Sequence, residues 1–365
     1  MGRLRCLDIL SAFNLCVVID YMSKYARKQG RGRMAKKVNE AFDRFMANVV
    51  NLSPETVVKA RKSRDNLLEN INEFSEDNDF FELYSGFNFH TGSFARKTKC
   101  RELNDIDLLI GISANGATYN SDDPWDDVHM MASPIDSVQR KCMRDDGTLN
   151  STKVSNQFKE KLEGVREYFK SEIRRNGEAV VLNLISKDWS FDIVPCFRTV
   201  VESNGRSYYL IPNGKGNWKK TAPDVDKGHV MLANQKHEGK VLPLIRLCKR
   251  WNKTKNATTI PSYMLETMII NFVDSVDKLT NFVGGNFFNA LNYIATNVTQ
   301  PIYDLKGIQG NINTLDGLQQ SAIVAKAVGD CKKAKEACWY EGIGDSKRAI
   351  GLWGEIFGKD FPSYE

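Results

Sequence analysis

Apolar positions recur at helical spacing over residues 36–52, where Phe42, Phe45, Met46, Val49 and Val50 share one face. Ser53-Pro54 then offers a cap residue followed by a proline at a first helical position, and predicts a second helix over about 54–75. That helix turns Val57, Val58, Leu67, Leu68, Ile71 and Phe74 inward and keeps Arg61, Lys62, Arg64 and Asp65 on a solvated face. The period next shortens to two. Strands are predicted at 80–90, 104–112, 179–186, 189–197 and 206–213. The polar stretch 113–160 between them, with SDDPWDD and RDDGTLN, reads as turns in an insertion, followed by a helix over about 155–175. After about residue 235 the pattern returns to helices, at 240–253, 260–276, 280–300 and 315–340. Pro261 and Ser262 stand near the start of the second of these, and the tail GEIFGKDFPSYE packs Trp353 and Phe357 before ending loosely. Strands gathered in the first part and helices in the second predict an α+β chain of two units. The expected boundaries are a basic extension at 1–35, a mixed-sheet core with its long leading helix at 36–235, and a helical domain at 236–365.

Composition narrows the function classes. At 42% hydrophobic and 26% charged, the 365 residues suit a soluble globular protein. A net charge of +6 from 51 basic and 45 acidic residues suits a protein that meets polyanionic small molecules, not a histone-like binder. No run approaches 18 uncharged apolar residues, so no membrane span is expected, and Asp8 and Asp20 interrupt the nearest candidate at 6–22. The eight cysteines include no C-x-x-C and the four histidines do not cluster with them, which argues against a zinc site or a disulfide framework. Free thiols in a reducing cytoplasm are the expectation. Residues 1–33 end in KYARKQGRGR and have two readings: a basic arm for nucleic acid or an acidic membrane surface, or an extension upstream of a start at Met34. The fresh amphipathic helix beginning at Met34 favours the second.

The chemistry concentrates in FNFHTGSFARKTKCRELNDIDL. It reads as a strand, a Gly-Ser turn at Gly92 and Ser93, a basic connection, and a second strand. Residues two apart on a strand share a face, so Asp105 and Asp107 point together while Ile106 and Leu108 point into apolar packing. Adjacent carboxylates repel unless a cation lies between them, and a hard divalent ion with phosphates is the usual answer. A glycine ahead of them lets backbone approach a phosphate closely. Gly-Ser is also an ordinary turn pair and D-x-D an ordinary surface motif; their combination eleven residues apart carries the signal. WSFDIVPCF supplies a third acid, Asp192, among Phe191, Ile193 and Val194, where a carboxylate is costly unless paired or metal-bound.

Taken in order, TGSFARKT, NDIDLLI and SFDIVPCF resemble the signature of the bacterial CD-NTases, which are similar to cyclic GMP-AMP synthase and 2′-5′-oligoadenylate synthetase. NLSPETVVKARKSRDNLLENI resembles the helix ahead of that family's core, and LIRLCKRWNK with IPSYMLETMI resembles paired helices of its C-terminal lobe, closely so for the oligoadenylate synthetases. The resemblance spans roughly residues 36–300 and implies a polymerase-β-like nucleotidyltransferase core closed by a helical lobe. It implies that Asp105 and Asp107 hold two Mg²⁺ ions, with Mn²⁺ an alternative, and that Asp192 shares the ion that activates the attacking hydroxyl. Gly92 and Ser93 would hold the donor triphosphate, Lys249 and Ser262 would reach it from the helical lobe, and Tyr263 would stack on the base. Without the resemblance, Lys249 reads as a solvated helix charge, Ser262 as a cap and Tyr263 as core.

The implied activity is synthesis of a cyclic di- or trinucleotide from ATP, with GTP, UTP or CTP as further substrates, by a cytoplasmic monomer in phage defence, its product read by a separate effector. Linear oligonucleotide synthesis, nucleotidyl transfer to RNA or protein, and a non-enzymatic nucleotide- or nucleic-acid-binding sensor stay open. Three departures are visible. Many relatives carry Gly where this chain has Lys97, which bears on the turn after Ser93. The His/Cys insertion of the animal DNA sensor is absent, which argues against direct duplex-DNA sensing by that device, and the ending Ser-Tyr-Glu argues against control by conjugation through a small terminal residue.

Overall fold

The structure, a computed structural model, describes residues 35–254 and 258–364. The basic stretch at 1–33 lies outside these residues. Helix α1 (Ala35–Phe45) runs into a π-helical turn (Met46–Val50) and ends at Asn51. The expected cap then appears: the Ser53 side chain accepts from the Thr56 N–H at 3.1 Å, Pro54 opens the helix, and α2 spans Pro54–Glu73.

Seven strands form one mixed sheet. β1 (Phe89–Thr91) pairs antiparallel with β2 (Asp105–Gly111), and β2 pairs parallel with β7 (Ser190–Arg198). β6 (Ala179–Asn183) and β5 (Glu172–Asn176) continue antiparallel beyond β7. The far end of β7 pairs with β8 (Tyr209–Pro212), which pairs with β9 (Trp218–Thr221). A two-stranded ribbon, β3 (Thr118–Tyr119) with β4 (Met130–Met131), and a short helix α4 (Ser137–Lys141) lie in the polar insertion. The observed mixed sheet with a helical C-terminal region matches the expected fold class.

The sheet's two faces are filled differently. Ile106, Leu108 and Ile110 of β2 pack with Leu67 and Ile71 of α2 and with Phe158 of α5 (Ser151–Gly164). The opposite face carries only a small apolar patch, Leu109, Val194, Cys196, Tyr209 and Ile211. The carboxylates stand on that thinly covered face.

The remaining helices are α6 (Pro223–Lys236), α7 (Val241–Asn252), α8 (Ser262–Asp274), α9 (Val283–Asn297), α10 (Gly317–Ile343) and α11 (Ser346–Phe357). They share a second core, around Trp251, Phe287, Trp353 and Phe357. Phe42 and Phe45 of α1 join it, with Phe42 5.1 Å from Trp353 and 5.3 Å from Phe361, ring to ring. Helix α1 was grouped with the nucleotidyltransferase core on sequence; by packing its apolar face belongs with the helical lobe. Phe361 is buried, so the tail is anchored four residues beyond α11.

Several element boundaries differ from expectation. Residues 80–90 are not one strand: 89–91 form the strand and Leu83 makes an isolated bridge to Ile112, because Ser85–Phe87 coils into a 3-10 turn between them and Phe80 and Phe81 instead face Phe158 at 5.0 and 6.0 Å. The helix expected at 155–175 begins at Ser151, since Asn150 caps the Thr152 and Lys153 N–H groups, and it ends at Gly164. The following residues yield β5, whose EIRRN alternates too weakly in polarity to read as a strand.

Candidate active site

The parallel register of β2 and β7 sets Asp105 opposite Ser190 and Asp107 opposite Asp192. The third acid found by sequence therefore stands beside the D-I-D pair on the same sheet face. The electrostatic consequence is clear at Asp107. Burial, then the charges of Asp105 and Asp192, push its carboxyl up to about 6. Burial and Asp105 also raise Asp192. Asp105 is differently placed, since its carboxylate forms an ion pair with the Lys99 ammonium.

Gly92 opens a single helical turn, α3 (Gly92–Ala95), directly against the pair. Its φ is +71°, and a Cβ there would lie 1.7 Å from the Asp107 Oδ2. Both the conformation and the contact therefore require glycine. The Ser93 carbonyl accepts from the Thr98 and Lys99 N–H groups at 2.9 and 3.0 Å, which folds the basic connection back over the turn. Lys97, which on sequence stands against an expected glycine, adopts a φ of +60°. The turn keeps its left-handed residue even though a side chain now occupies it.

Two ties fasten this turn to the helical lobe. Arg246 of α7 donates to the Lys97 carbonyl at 2.6 Å and to the Asn51 side chain at 2.7 Å. Glu266 of α8 is nearly fully buried and accepts from Arg96 at 3.1 and 3.3 Å, from Thr98 Oγ1 at 3.0 Å and from Lys249. Burial alone would raise the Glu266 pKa; Arg96 and Lys249 overcome it and hold the carboxyl below its ordinary range.

The helical-lobe residues named from sequence are thus spread over three settings. Lys249 is buried and committed to Glu266. Ser262 is exposed at the first position of α8, where Pro261 is the cap. Tyr263 is half-buried, its hydroxyl 2.7 Å from Asp226 and 2.5 Å from Asp304, with the Lys306 ammonium 4.1 Å from the ring centre. Arg96 links these settings electrostatically to the carboxylates, since it counters the charge on Asp107 and feels Glu266, Asp226 and Tyr263.

Beside Asp107 opens a cavity of about 350 Å³. Arg61 and Arg64 of α2, Lys97, Lys99, Lys227 of α6 and Arg246 line it, and Asp107 is the carboxylate among them. Arg61 and Lys97 pair with no carboxylate among the described residues. The sequence marked Arg61 and Arg64 as a solvated face. It missed Arg96, Lys99, Lys227 and Glu266. Glu266 carried a usable signal, an acid inside the apolar run MLETMII, which is the same criterion that singled out Asp192.

The carboxylates suit a hard divalent ion in donor type and placement: oxygen ligands only, on one face, mutually repelling. Asp105, Asp107 and Asp192 would hold it. Among the described residues, no three His, Cys, Asp or Glu groups are gathered to hold a metal as they stand, and Asp105 is instead engaged with Lys99. Among the same residues no helix is long and apolar enough to cross a membrane.

No family model matches the chain. A probable cyclic nucleotide synthase of Bacillus cereus (strain VD146) is 40% identical over 335 residues, covering 91% of this chain and all of that protein. The solved structure of E. coli MS115-1 CdnC with ATP superposes with a TM-score of 0.61 at 18% identity, over 89% of this chain and 98% of that one. The same enzyme in complex with HORMA-deltaN gives 0.62 at 17% identity over the same shares, and at such identities the likeness speaks for the fold. With a 40% identical relative matched end to end and the three-acid site in place, the chain belongs to the cyclic nucleotide synthases, the bacterial CD-NTase family of nucleotidyltransferases.

Proposed function

We propose that the chain joins nucleoside triphosphates, ATP among them, into a cyclic di- or trinucleotide by metal-assisted nucleotidyl transfer at Asp105, Asp107 and Asp192. The observation that carries this reading is the β2–β7 register, which brings Asp107 beside Asp192 with Gly92 pressed against Asp107. Bound divalent ions would make the acceptor hydroxyl a better nucleophile and offset charge on the departing pyrophosphate. The chain's own part is placement. Gly92 and Ser93 hold the donor triphosphate against β2, and the unpaired Arg61 and Lys97 in the adjoining cavity favour a polyanion there. Lys249 acts on the triphosphate at one remove, through the Glu266 that also holds Arg96 beside the turn; Ser262 offers an exposed hydroxyl from the α8 start, and Tyr263 presents a ring to the base while its hydroxyl is tethered. Asp192 faces the acceptor hydroxyl. The protein forms no bond to substrate, so rate comes from positioning and electrostatics. The linear intermediate reverses in the cleft for a second transfer that closes the ring. A separate effector reads the product in anti-phage signalling.

The test is incubation with four labelled nucleoside triphosphates and Mg²⁺ or Mn²⁺, then phosphatase treatment, chromatography and mass spectrometry. A phosphatase-resistant di- or trinucleotide is the expected result. Phosphatase-sensitive oligomers would replace it with linear synthesis, label on a macromolecule would mark transfer to RNA or protein, and ligand binding without pyrophosphate release would mark a sensor.

A further inference from the structure

Lys99 has no place in the reaction just described, yet its ammonium sits where a metal's charge belongs. It pairs with Asp105, one of the three carboxylates that would hold the metal, and its side chain is less exposed than the carboxylate it covers. The backbone leading into it is fixed. The Lys99 N–H donates to the Ser93 carbonyl at 3.0 Å, the preceding Thr98 hydroxyl is held by Glu266 at 3.0 Å, and the Lys97 carbonyl is held by Arg246 at 2.6 Å. The same side chain also lines the basic cavity beside Asp107. Its flexible four-carbon stem therefore has two anionic destinations within reach of one anchored backbone: Asp105, and whatever polyphosphate enters the cavity.

We propose that Lys99 is the built-in counter-cation of the carboxylate site, holding Asp105 until a divalent ion arrives and then turning to the triphosphate. This rests on the reading that the three aspartates bind metal. The ammonium holds the Asp105 Oδ1 that a metal ion would take, and no second carboxylate is ion-paired with it among the described residues, so metal and ammonium compete for that oxygen. A triphosphate relieves the competition by giving the displaced ammonium a partner. Metal alone binds weakly; metal with nucleotide binds cooperatively, and by linkage each strengthens the other equally. Because the Lys99 backbone is tied to α7 and α8, this coupling also depends on the helical lobe staying docked.

The test measures Mn²⁺ binding by electron paramagnetic resonance on the full chain, with and without α,β-methylene-ATP, so no turnover is involved. Lys99→Met is expected to tighten binding of Mn²⁺ alone at least fivefold and to shrink the nucleotide-dependent gain. Lys99→Arg keeps a cation and stays within twofold of wild type. The metal-free melting temperature of Lys99→Met is expected to fall and to be restored by Mn²⁺. Unchanged or weaker Mn²⁺ binding, with a melting loss that Mn²⁺ does not restore, would reduce Lys99 to an ordinary ion pair and overturn the proposal. If Lys99→Met does not fold, pulsed amine acylation of the wild type decides. Labelling of Lys99 should rise when Mn²⁺ is added alone and fall again with the analogue, and constant labelling overturns the proposal. Wild type that binds Mn²⁺ in neither condition sinks both this inference and the metal-assisted reading. Wild type that binds Mn²⁺ and makes cyclic product, with an inert Lys99, sinks this inference alone.

Discussion

Two charged centres flank the turn that follows Ser93, and they are balanced in opposite ways. On the sheet, three carboxylates stand together and, among the described residues, only Asp105 has an ion-pair partner, Lys99. At the seam with the helical lobe, two cations, Arg96 and Lys249, share one carboxylate, Glu266. The first is short of positive charge and only partly buried, so Asp107 holds its proton up to about 6. The second is nearly dry, and every oxygen of its carboxylate has a donor. A site kept out of balance is ready for a ligand of the missing sign, whereas a satisfied buried centre fixes geometry. Arg96 stands between them, and a surplus of positive charge at the seam faces a surplus of negative charge on the sheet.

The strongest way to break this contrast is Asp107→Asn. It removes a metal-binding carboxylate but relieves repulsion, so product formation should fall by at least about 10³-fold while the fold holds. Assay by product chromatography and urea unfolding checks both halves. A fully active Asp107→Asn enzyme would end the assignment of this centre as catalytic. Glu266→Gln should behave in reverse: it leaves two buried cations with no counter-charge and should destabilise the chain by about 3–5 kcal/mol in urea unfolding. A loss below about 1 kcal/mol would show that the seam is not what fixes the lobes.

The pH dependence sharpens the same contrast. The Asp107 carboxyl binds its proton more tightly folded than unfolded, because its pKa rises from 3.8 to about 6. Its favourable contribution is complete below about 3.8 and is lost as pH climbs through about 6. That window is worth up to about 3 kcal/mol by the shift alone, and about 1–2 kcal/mol after screening at a partly exposed site. In chelator, the stability advantage of Asp107→Asn over wild type should therefore grow between pH 4 and 7 and then level off. A constant difference over that range would mean that the three carboxylates do not repel as their register implies.

Much of the catalytic face was legible before any coordinates. Asp105, Asp107 and Asp192 stood out because an acid among apolar strand residues needs a reason, and Gly92 because a turn of this kind favours glycine. The register that joins β2 to β7 is long-range, 85 residues apart in chain, and no local pattern states it; the family resemblance implied only that the three acids serve one metal site. The helical-lobe residues show the opposite limit. Lys249 was named as a triphosphate contact, but its sequence neighbourhood says nothing of Glu266 17 residues away, which engages it. Nor does ARKTK say which of its cations turns to phosphate, which to Glu266 and which to Asp105. That division depends on the backbone reversal closed by the Ser93 carbonyl and on the lobe docked above it.

Lys97 gives the smallest effect and tests that reversal most directly. Its φ of +60° is a conformation that costs an ordinary residue about 1–2 kcal/mol, so Lys97→Gly removes strain from the folded chain. Glycine also loosens the unfolded chain, a loss of about 0.4–1 kcal/mol, so net stability should rise by no more than about 1.6 kcal/mol. Function should move the other way. Lys97 is an unpaired cation lining the cavity beside Asp107, and its loss should raise the KM for nucleoside triphosphate about two- to fivefold with kcat nearly constant. If stability rises and KM is unchanged, the lysine is tolerated strain with no bearing on phosphate. If KM rises as stated, the chain accepts a strained residue in exchange for a charge beside the phosphate, and the turn belongs with the unbalanced centre, not with the satisfied one.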